Sequence, residues 1–180
     1  MIVKNKKIKT LVCILGQTRA QDITWKNFNK YLLKSLNADL ALCVAEKKSS
    51  KNQMYKNAKF IWKYKDSNDY TKYFDEAQKK LIKSKNLKYK PNWKKLIQIK
   101  HFWLARIKGS LKIKNNKGKY SGGTGALLIY NRWFLLQKIL KNKLIKKYDR
   151  FIITRSDFIW NMHHPKMENM STNFIWIPNG

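Results

Sequence analysis

The sequence predicts an α/β fold of three layers, in which helices cover both faces of a mainly parallel sheet. Continuous apolar runs such as "IKTLVCIL" (residues 8–15) are typical of strands that are buried on both faces of a parallel sheet. Segments with apolar residues at helical spacing alternate with these runs along the chain. Alternation of strands and helices favours three layers over an all-helical or all-strand architecture.

The first part of the chain predicts a strand, a helix and two further strands. Residues 8–15 form the first strand, and a helix then begins at Asp22 or Thr24, both of which are common N-cap residue types. Residues 38–46 and 58–64 are the second and third strands, and the polar residues between them predict a surface loop. The apolar face of the helix is predicted to contain Trp25, Phe28, Leu32 and Leu36.

The second part predicts three helices and two short strands. Amphipathic helices are expected at 69–84 and 91–109, and a longer one begins near residue 124. Apolar runs at 151–153 and 173–178 predict the last strands. The buried face of the long helix is predicted to contain Ile129, Trp133, Leu136, Leu140 and Leu144. We expect a single domain over residues 1–180.

Length and composition exclude several classes of protein. A chain of 180 residues with 43% apolar content is too apolar to be mainly disordered. No window approaches the roughly 18 uninterrupted apolar residues of a membrane-spanning helix, so we expect a cytoplasmic protein that is soluble or peripheral to a membrane. Cys13 and Cys43 both lie inside apolar runs, which predicts buried thiols without a metal.

The net charge of +30 indicates an attraction for phosphate-bearing ligands. Only five of the 40 basic residues are arginine, and the lysines are spread over every segment. A protein that reads nucleic acid is expected to gather its basic residues on one face. We therefore expect no specific nucleic-acid partner, although a basic nucleic-acid-binding protein remains an alternative.

Polar residues follow two predicted strands at the point where each strand ends. Gly16, Gln17, Thr18 and Arg19 follow the first strand, and Arg155, Ser156 and Asp157 follow the strand at 151–153. The carboxyl ends of parallel strands lie at one edge of a sheet, where open α/β sheets bind ligands. If the two strands are neighbours, Arg19, Arg155 and Asp157 converge there.

These residue types suit a diphosphate. Guanidinium groups present a planar fork of N–H donors to phosphate oxygens, and Gly16 allows the backbone to approach a ligand closely. Asp157 can ligate a divalent cation or hold a sugar hydroxyl. The alternative is that Arg155 and Asp157 pair with each other or cap neighbouring backbone, and position along the sequence does not decide between the two.

The motifs in this order resemble the nucleotide-binding half of GT-A type glycosyltransferases. The matching segments are "LVCILGQTRA", "NADLALCVAE", "YDRFIITRSDFIW" and "IWIPNG". The similarity is to small glycosyltransferase-like proteins of algae, large DNA viruses and bacteria, in which R-x-D stands where others have D-x-D. It implies a Rossmann-like fold and transfer of a sugar from a nucleoside-diphosphate sugar to a glycan or surface-polysaccharide acceptor. It also implies Mn²⁺ or Mg²⁺ at the acidic motif.

Carried onto this sequence, the resemblance assigns Asp157 to the metal and the diphosphate. Arg155 stands in place of the first carboxylate and can take over part of the neutralisation of the diphosphate. The loop of Gly16 to Arg19 would receive the nucleotide, and Asp69 would hold the base or ribose. GT-A folds normally continue into an acceptor-binding half, so the resemblance places the catalytic base beyond Gly180. A catalytically inactive interaction module with the same fold is a further alternative.

Two adjacent histidines, His163 and His164, raise the question of a metal site. Adjacent side chains seldom converge on one ion, and Pro165 directly after them predicts a loop. We therefore expect no metal role for this pair.

Overall fold

A computed structural model gives the fold of the chain and describes residues 8–45, 52–65, 71–86, 88 and 125–177. Its sheet has four strands in the order β3-β2-β1-β4, and all adjacent strands are parallel. The strands are β1 (Thr10–Gly16), β2 (Asp39–Ala45), β3 (Phe60–Tyr64) and β4 (Arg150–Thr154). The predicted α/β, Rossmann-like class with a mainly parallel sheet is confirmed.

Helices alternate with these strands along the chain. Helix α1 (Gln21–Phe28) continues as a π-helical segment, Asn29–Lys34. The other helices described are α2 (Gln53–Asn57), α3 (Thr71–Lys85) and α4 (Gly125–Lys141), with 3₁₀ turns at Leu144–Lys146 and Met167–Asn169. No helix in the described ranges is long and apolar enough to cross a membrane.

Both faces of the central strands β1 and β2 are buried. On one face, apolar side chains of the two strands pack against the helix after β1 and against Met54; this core contains Val12, Ile14, Leu40, Leu42, Val44, Phe28, Leu32 and Leu33. On the other face, Leu11, Cys13, Ala41 and Cys43 are fully buried as well. Burial of both faces explains the continuous apolar runs of these strands. Burial also raises the pKa of both thiols, that of Cys43 to about 12, and neither cysteine forms a disulfide.

The predicted apolar face of the first helix is confirmed, but its predicted start is wrong. Phe28 and Leu32 are fully buried, and Trp25 and Leu36 pack against the same core. The helix begins at Gln21 with Ala20, not Asp22 or Thr24, at the N-cap. Thr24 lies one turn inside the helix, where its hydroxyl contacts the loop after β4.

The surface loop predicted between the second and third strands contains helix α2. Asn52 caps this helix, because its side chain accepts a hydrogen bond from the Tyr55 backbone N–H at 3.1 Å. Met54 is fully buried and belongs to the core. The prediction was wrong because this short segment has only two apolar residues, the adjacent Met54 and Tyr55, which are too few to show helical periodicity.

The predicted buried face of α4 is displaced by about one residue. Ile129, Leu136 and Leu140 are exposed by 44%, 49% and 49%, whereas the buried positions follow the spacing i, i+4, i+8 at Asn131, Leu135 and Ile139. Leu144, in the 3₁₀ turn after the helix, is fully buried as predicted. Apolar residues occur on most sides of this helix, so periodicity alone does not determine which side is buried.

The last predicted strand, at 173–178, is wrong over its described residues. Residues 173–177 are not in a strand, and Phe174, Ile175 and Ile177 are 69%, 91% and 81% exposed. Apolar and β-branched composition favours extended backbone, but a strand also needs a hydrogen-bonding neighbour. In the described residues the sheet ends at β3 and β4, and neither pairs with this segment.

The chain divides into two compact units, Met1–Tyr64 with Lys138–Gly180, and Lys65–Gln137. The first contains the sheet. Within the second, the rings of Tyr73 and Tyr130 have centroids 4.7 Å apart, and the Lys80 ammonium lies 5.3 Å from the Trp133 ring centroid. The helix predicted at 91–109 and Asp69 lie outside the described residues.

A polar cluster ties three strands together at the amino edge of the sheet. The carboxylate of Asp39, at the start of β2, accepts hydrogen bonds from Lys59 Nζ at 2.7 Å and from the Tyr148 hydroxyl at 2.6 Å. Lys59 precedes β3 and Tyr148 precedes β4. Partial burial raises the pKa of Asp39, but the two hydrogen bonds outweigh it, so that the pKa is lowered. The pKa of Tyr148 is raised to about 12, by burial and then by Asp39.

Candidate functional site

Strands β1 and β4 are direct neighbours, although about 140 residues separate them in the sequence. Their parallel register runs from Thr10 opposite Arg150 to Ile14 opposite Thr154. The loop that follows β1 and the loop that follows β4 therefore leave the sheet at the same edge. This adjacency was the condition for Arg19, Arg155 and Asp157 to come together.

The same edge contains the point where the strand order reverses. From β1 the chain proceeds to β2 and β3 on one side, and β4 is added on the other side of β1. Connections that leave in opposite directions open a crevice at the carboxyl ends of the two strands, and ligands of open α/β sheets bind there. The predicted site residues are thus placed at the ligand-binding position of this fold class.

The loop after β1 turns sharply through two residues with positive φ. Gly16 has φ 102°, a conformation that favours glycine. Ala20 has φ 54°, which costs a residue with a side chain roughly 1–2 kcal/mol. The carbonyl of Ala20 accepts the first backbone hydrogen bonds of α1, from Ile23 and Thr24, at 3.0 and 2.9 Å. The loop of Gln17 to Arg19 is therefore a compact turn between strand and helix.

Arg155 and Asp157 form a bidentate ion pair. Arg155 Nε donates to Oδ1 of Asp157 at 2.8 Å, and Nη2 donates to Oδ2 at 2.6 Å. Pairing of these two residues was the alternative that the sequence left open, and it is present. The pair uses two of the five guanidinium N–H groups, and the Arg155 side chain is 54% exposed. The other three N–H groups of the Arg155 guanidinium can therefore donate to an anion that approaches from solvent.

Arg155 and Arg19 both act on the carboxylate of Asp157. The hydrogen bonds from Arg155 hold the pKa of Asp157 below its ordinary value, and the charge of Arg19 acts in the same direction. The pKa of Arg155 is raised in turn by Asp157. Two guanidinium groups thus favour the charged form of the Asp157 carboxylate at the carboxyl edge.

Ser156, between these two charged residues, is buried. Its hydroxyl donates to the Gln17 carbonyl at 2.6 Å and lies 3.1 Å from the Arg19 carbonyl. The hydroxyl of Thr24 lies 2.7 Å from the Ser156 carbonyl. The predicted diphosphate-binding residue Ser156 therefore contacts the loop after β1 and the helix α1.

Thr18 is connected to the segment after β2. Its hydroxyl accepts a hydrogen bond from the Asn52 side-chain amide at 2.7 Å, and the Gln53 backbone N–H donates to the Gln21 side chain at 3.2 Å. Sequence reasoning missed Asn52, Gln21 and the contact of Thr24. Asparagine is a frequent N-cap, so Asn52 carried a local signal, whereas nothing in the sequence indicates the contacts of Gln21 or Thr24.

The residues at this edge fit a resident divalent cation poorly. Both carboxylate oxygens of Asp157 accept from Arg155, so a cation must displace the guanidinium to gain a ligand. Over the part of the chain that the structure describes, no group of three or more His, Cys, Asp or Glu side chains is placed to hold a metal. A metal at Asp157 stays a prediction.

His163 and His164 attach the loop after β4 to the helical segment after β1. The His163 ring packs edge-on against Tyr31 with centroids 5.1 Å apart, and the His164 backbone N–H donates to the Tyr31 carbonyl at 2.9 Å. The His164 Nδ1 lies 2.7 Å from the Pro165 carbonyl. These contacts give both histidines a role in packing.

Comparison of this chain with protein-family models, with curated proteins and with solved structures finds no match.

Proposed function

We propose that this protein is a glycosyltransferase that binds a nucleoside-diphosphate sugar at the carboxyl edge of β1 and β4. The acceptor is a glycan or a surface polysaccharide, as the sequence motifs imply. One observation carries the proposal: two loops that bear Arg19 and Arg155 leave adjacent parallel strands at the point where the strand order reverses.

In the proposed reaction, the bond between the anomeric carbon and the diphosphate oxygen breaks, and the acceptor hydroxyl oxygen bonds to that carbon. Negative charge builds on the departing diphosphate, so cations placed beside it stabilise the transition state more than the ground state. Arg19 and Arg155 supply these cations, and Asp157 orients the Arg155 guanidinium. A base beyond the described site takes the hydroxyl proton.

A divalent cation is not needed for this part of the proposal. If one binds, Asp157 is the residue that would hold it, and it would supply further neutralisation of the phosphates. The bidentate pair makes Arg155 the competitor of such an ion. We therefore propose that the two arginines bind the diphosphate in the absence of metal.

Calorimetric titration with UDP, GDP and their sugars, with EDTA or with Mn²⁺, tests the proposal. Each of Arg19→Ala and Arg155→Ala removes hydrogen bonds to a charged group, which are worth roughly 1.5–3 kcal/mol, and is expected to weaken binding tenfold or more. Wild-type affinity for the diphosphates is expected to be similar with EDTA and with Mn²⁺.

Lys146→Ala is the matched control, because it removes one exposed positive charge before β4, at the amino edge of the sheet. It is expected to leave the affinity within about twofold, since exposed charges at a distance are screened by salt. If an Arg155→Ala, Asp157→Ala double variant bound these nucleotides with unchanged affinity, the assignment of the site would be wrong.

A further inference from the structure

Ser156 is a buried hydroxyl between two exposed charged residues. It is 2% exposed, and its only hydroxyl proton is directed to the backbone carbonyls of Gln17 and Arg19. No donor of this side chain is left for a phosphate oxygen. The side chain acts on the loop that carries Arg19, and not on solvent.

Thr24 makes the complementary contact from α1. It is 1% exposed, and its hydroxyl lies 2.7 Å from the Ser156 carbonyl and 3.0 Å from the Ala20 carbonyl. Ser156 thus binds the β1 loop through its side chain and α1 through its backbone. We refer to these contacts of Ser156 and Thr24 as the Ser156–Thr24 clasp.

We infer that the Ser156–Thr24 clasp holds the loops that carry Arg19 and Arg155 against each other, so that both guanidinium groups bind one diphosphate, an inference that rests on the proposed function. The two arginines lie on the two loops that the clasp joins, and Ser156 holds the carbonyl of Arg19 itself. Two cationic groups at a fixed separation bind a diphosphate with an advantage over a single phosphate, because the second contact is intramolecular. Ser156 and Thr24 are positioning residues, since neither faces the ligand.

The test compares inorganic pyrophosphate with orthophosphate by calorimetry in the full chain. Thr24→Val removes the Thr24 hydroxyl with little change of shape, and Ser156→Ala removes the Ser156 hydroxyl. Thr24→Ser keeps the hydroxyl donor at position 24. Thr24→Val and Ser156→Ala are each expected to lower pyrophosphate affinity about tenfold, equivalent to 1.4 kcal/mol, while orthophosphate affinity changes by less than about twofold. Thr24→Ser is expected to keep wild-type values for both anions.

Thr10→Val is the control for loss of a buried hydroxyl. Thr10 is 2% exposed at the amino end of β1, and its hydroxyl has no hydrogen-bond partner among the residues that the structure describes. This variant is expected to keep the preference for pyrophosphate.

The outcomes separate the clasp from the proposed function. If wild type binds pyrophosphate and the Thr24→Val and Ser156→Ala variants keep its preference, or lose both anions equally, the inference about the clasp is overturned and the proposed function stands. If wild type binds neither pyrophosphate nor a nucleoside diphosphate, both are overturned. Should Ser156→Ala fail to fold, the comparison of Thr24→Val with Thr24→Ser decides.

Discussion

The pair of Arg155 and Asp157 determines what each side chain offers to a ligand. With both of its oxygens occupied, the carboxylate acts mainly on the orientation of the guanidinium. A fork fixed by a carboxylate loses less side-chain entropy when it binds an anion than a freely rotating arginine does. In the sequence R-S-D, Asp157 therefore orients the guanidinium of Arg155, and Ser156 between the two charged residues is buried.

Asp39 provides a residue-scale prediction for the pH dependence of stability. Its pKa in the folded protein is lowered from the ordinary 3.8. A group with a lowered pKa contributes stability above its unfolded pKa, and this contribution is lost as pH falls through the folded value. Asp39→Asn is therefore expected to be less stable than wild type at neutral pH, with a gap that narrows below about pH 4. Urea unfolding measured at several pH values checks this.

Tyr148→Phe is the companion variant, because it removes one of the two hydrogen bonds to Asp39 and keeps the carboxylate. We expect Tyr148→Phe to lose less stability than Asp39→Asn. The difference in stability between wild type and Tyr148→Phe is also expected to narrow as the pH falls below about 4. A gap between wild type and Asp39→Asn that stays constant from neutral to strongly acidic pH would contradict the role given to this carboxylate.

At the scale of elements, α4 shows how burial assigns different roles to two adjacent leucines. Leu135 is 1% exposed and Leu136 is 49% exposed. Leu135→Ala is expected to lower the free energy of unfolding by about 2–5 kcal/mol, because it removes buried methyl groups and leaves a cavity. Leu136→Ala is expected to cost less than about 1 kcal/mol, since alanine has the higher helix propensity and little burial is lost.

Chemical denaturation of the two variants, with circular dichroism to confirm helix content, provides the comparison. A larger loss in Leu136→Ala than in Leu135→Ala would show that the buried face of α4 is the one that the spacing of Ile129, Leu136 and Leu140 predicts. The helix is apolar on more than one side, which is why the sequence pattern places its face one residue away from the observed one.

At the scale of the whole molecule, the charge of +30 and the local site have separable effects. We expect duplex DNA of arbitrary sequence to bind weakly, with an affinity that falls steeply between about 50 and 200 mM salt as counterions are released. Arg19→Ala and Arg155→Ala each remove one of 40 basic residues, so each is expected to change duplex affinity little while it weakens diphosphate binding tenfold or more. Fluorescence anisotropy with a labelled duplex checks the first part.

The nucleic-acid alternative makes the opposite prediction for the same variants. A specific reader that used the carboxyl edge would lose duplex affinity in Arg19→Ala and Arg155→Ala to the same degree as it loses nucleotide affinity. Lys146→Ala serves again as the control for a single lost charge.

The sequence by itself determined the strands β1 to β4, the α/β class and the residues at the ends of β1 and β4. These features depend on local patterns: apolar runs reveal strands buried on both faces, and a change from apolar to polar residues shows where β1 and β4 end. The buried side of α4, the presence of helix α2 and the absence of a strand at 173–177 depend on packing partners, so the local pattern predicted them wrongly.

Only the tertiary structure decided that β1 and β4 are neighbours and that Ser156 is buried between the loops that follow them. The physical reason is that strand order is set by which apolar surfaces pack together over the whole chain, not by the residues near each strand end. The contact between Gln17 and Ser156 produces no periodic pattern in the sequence of either segment. The same is true of the contact between Thr24 and Ser156 that completes the clasp.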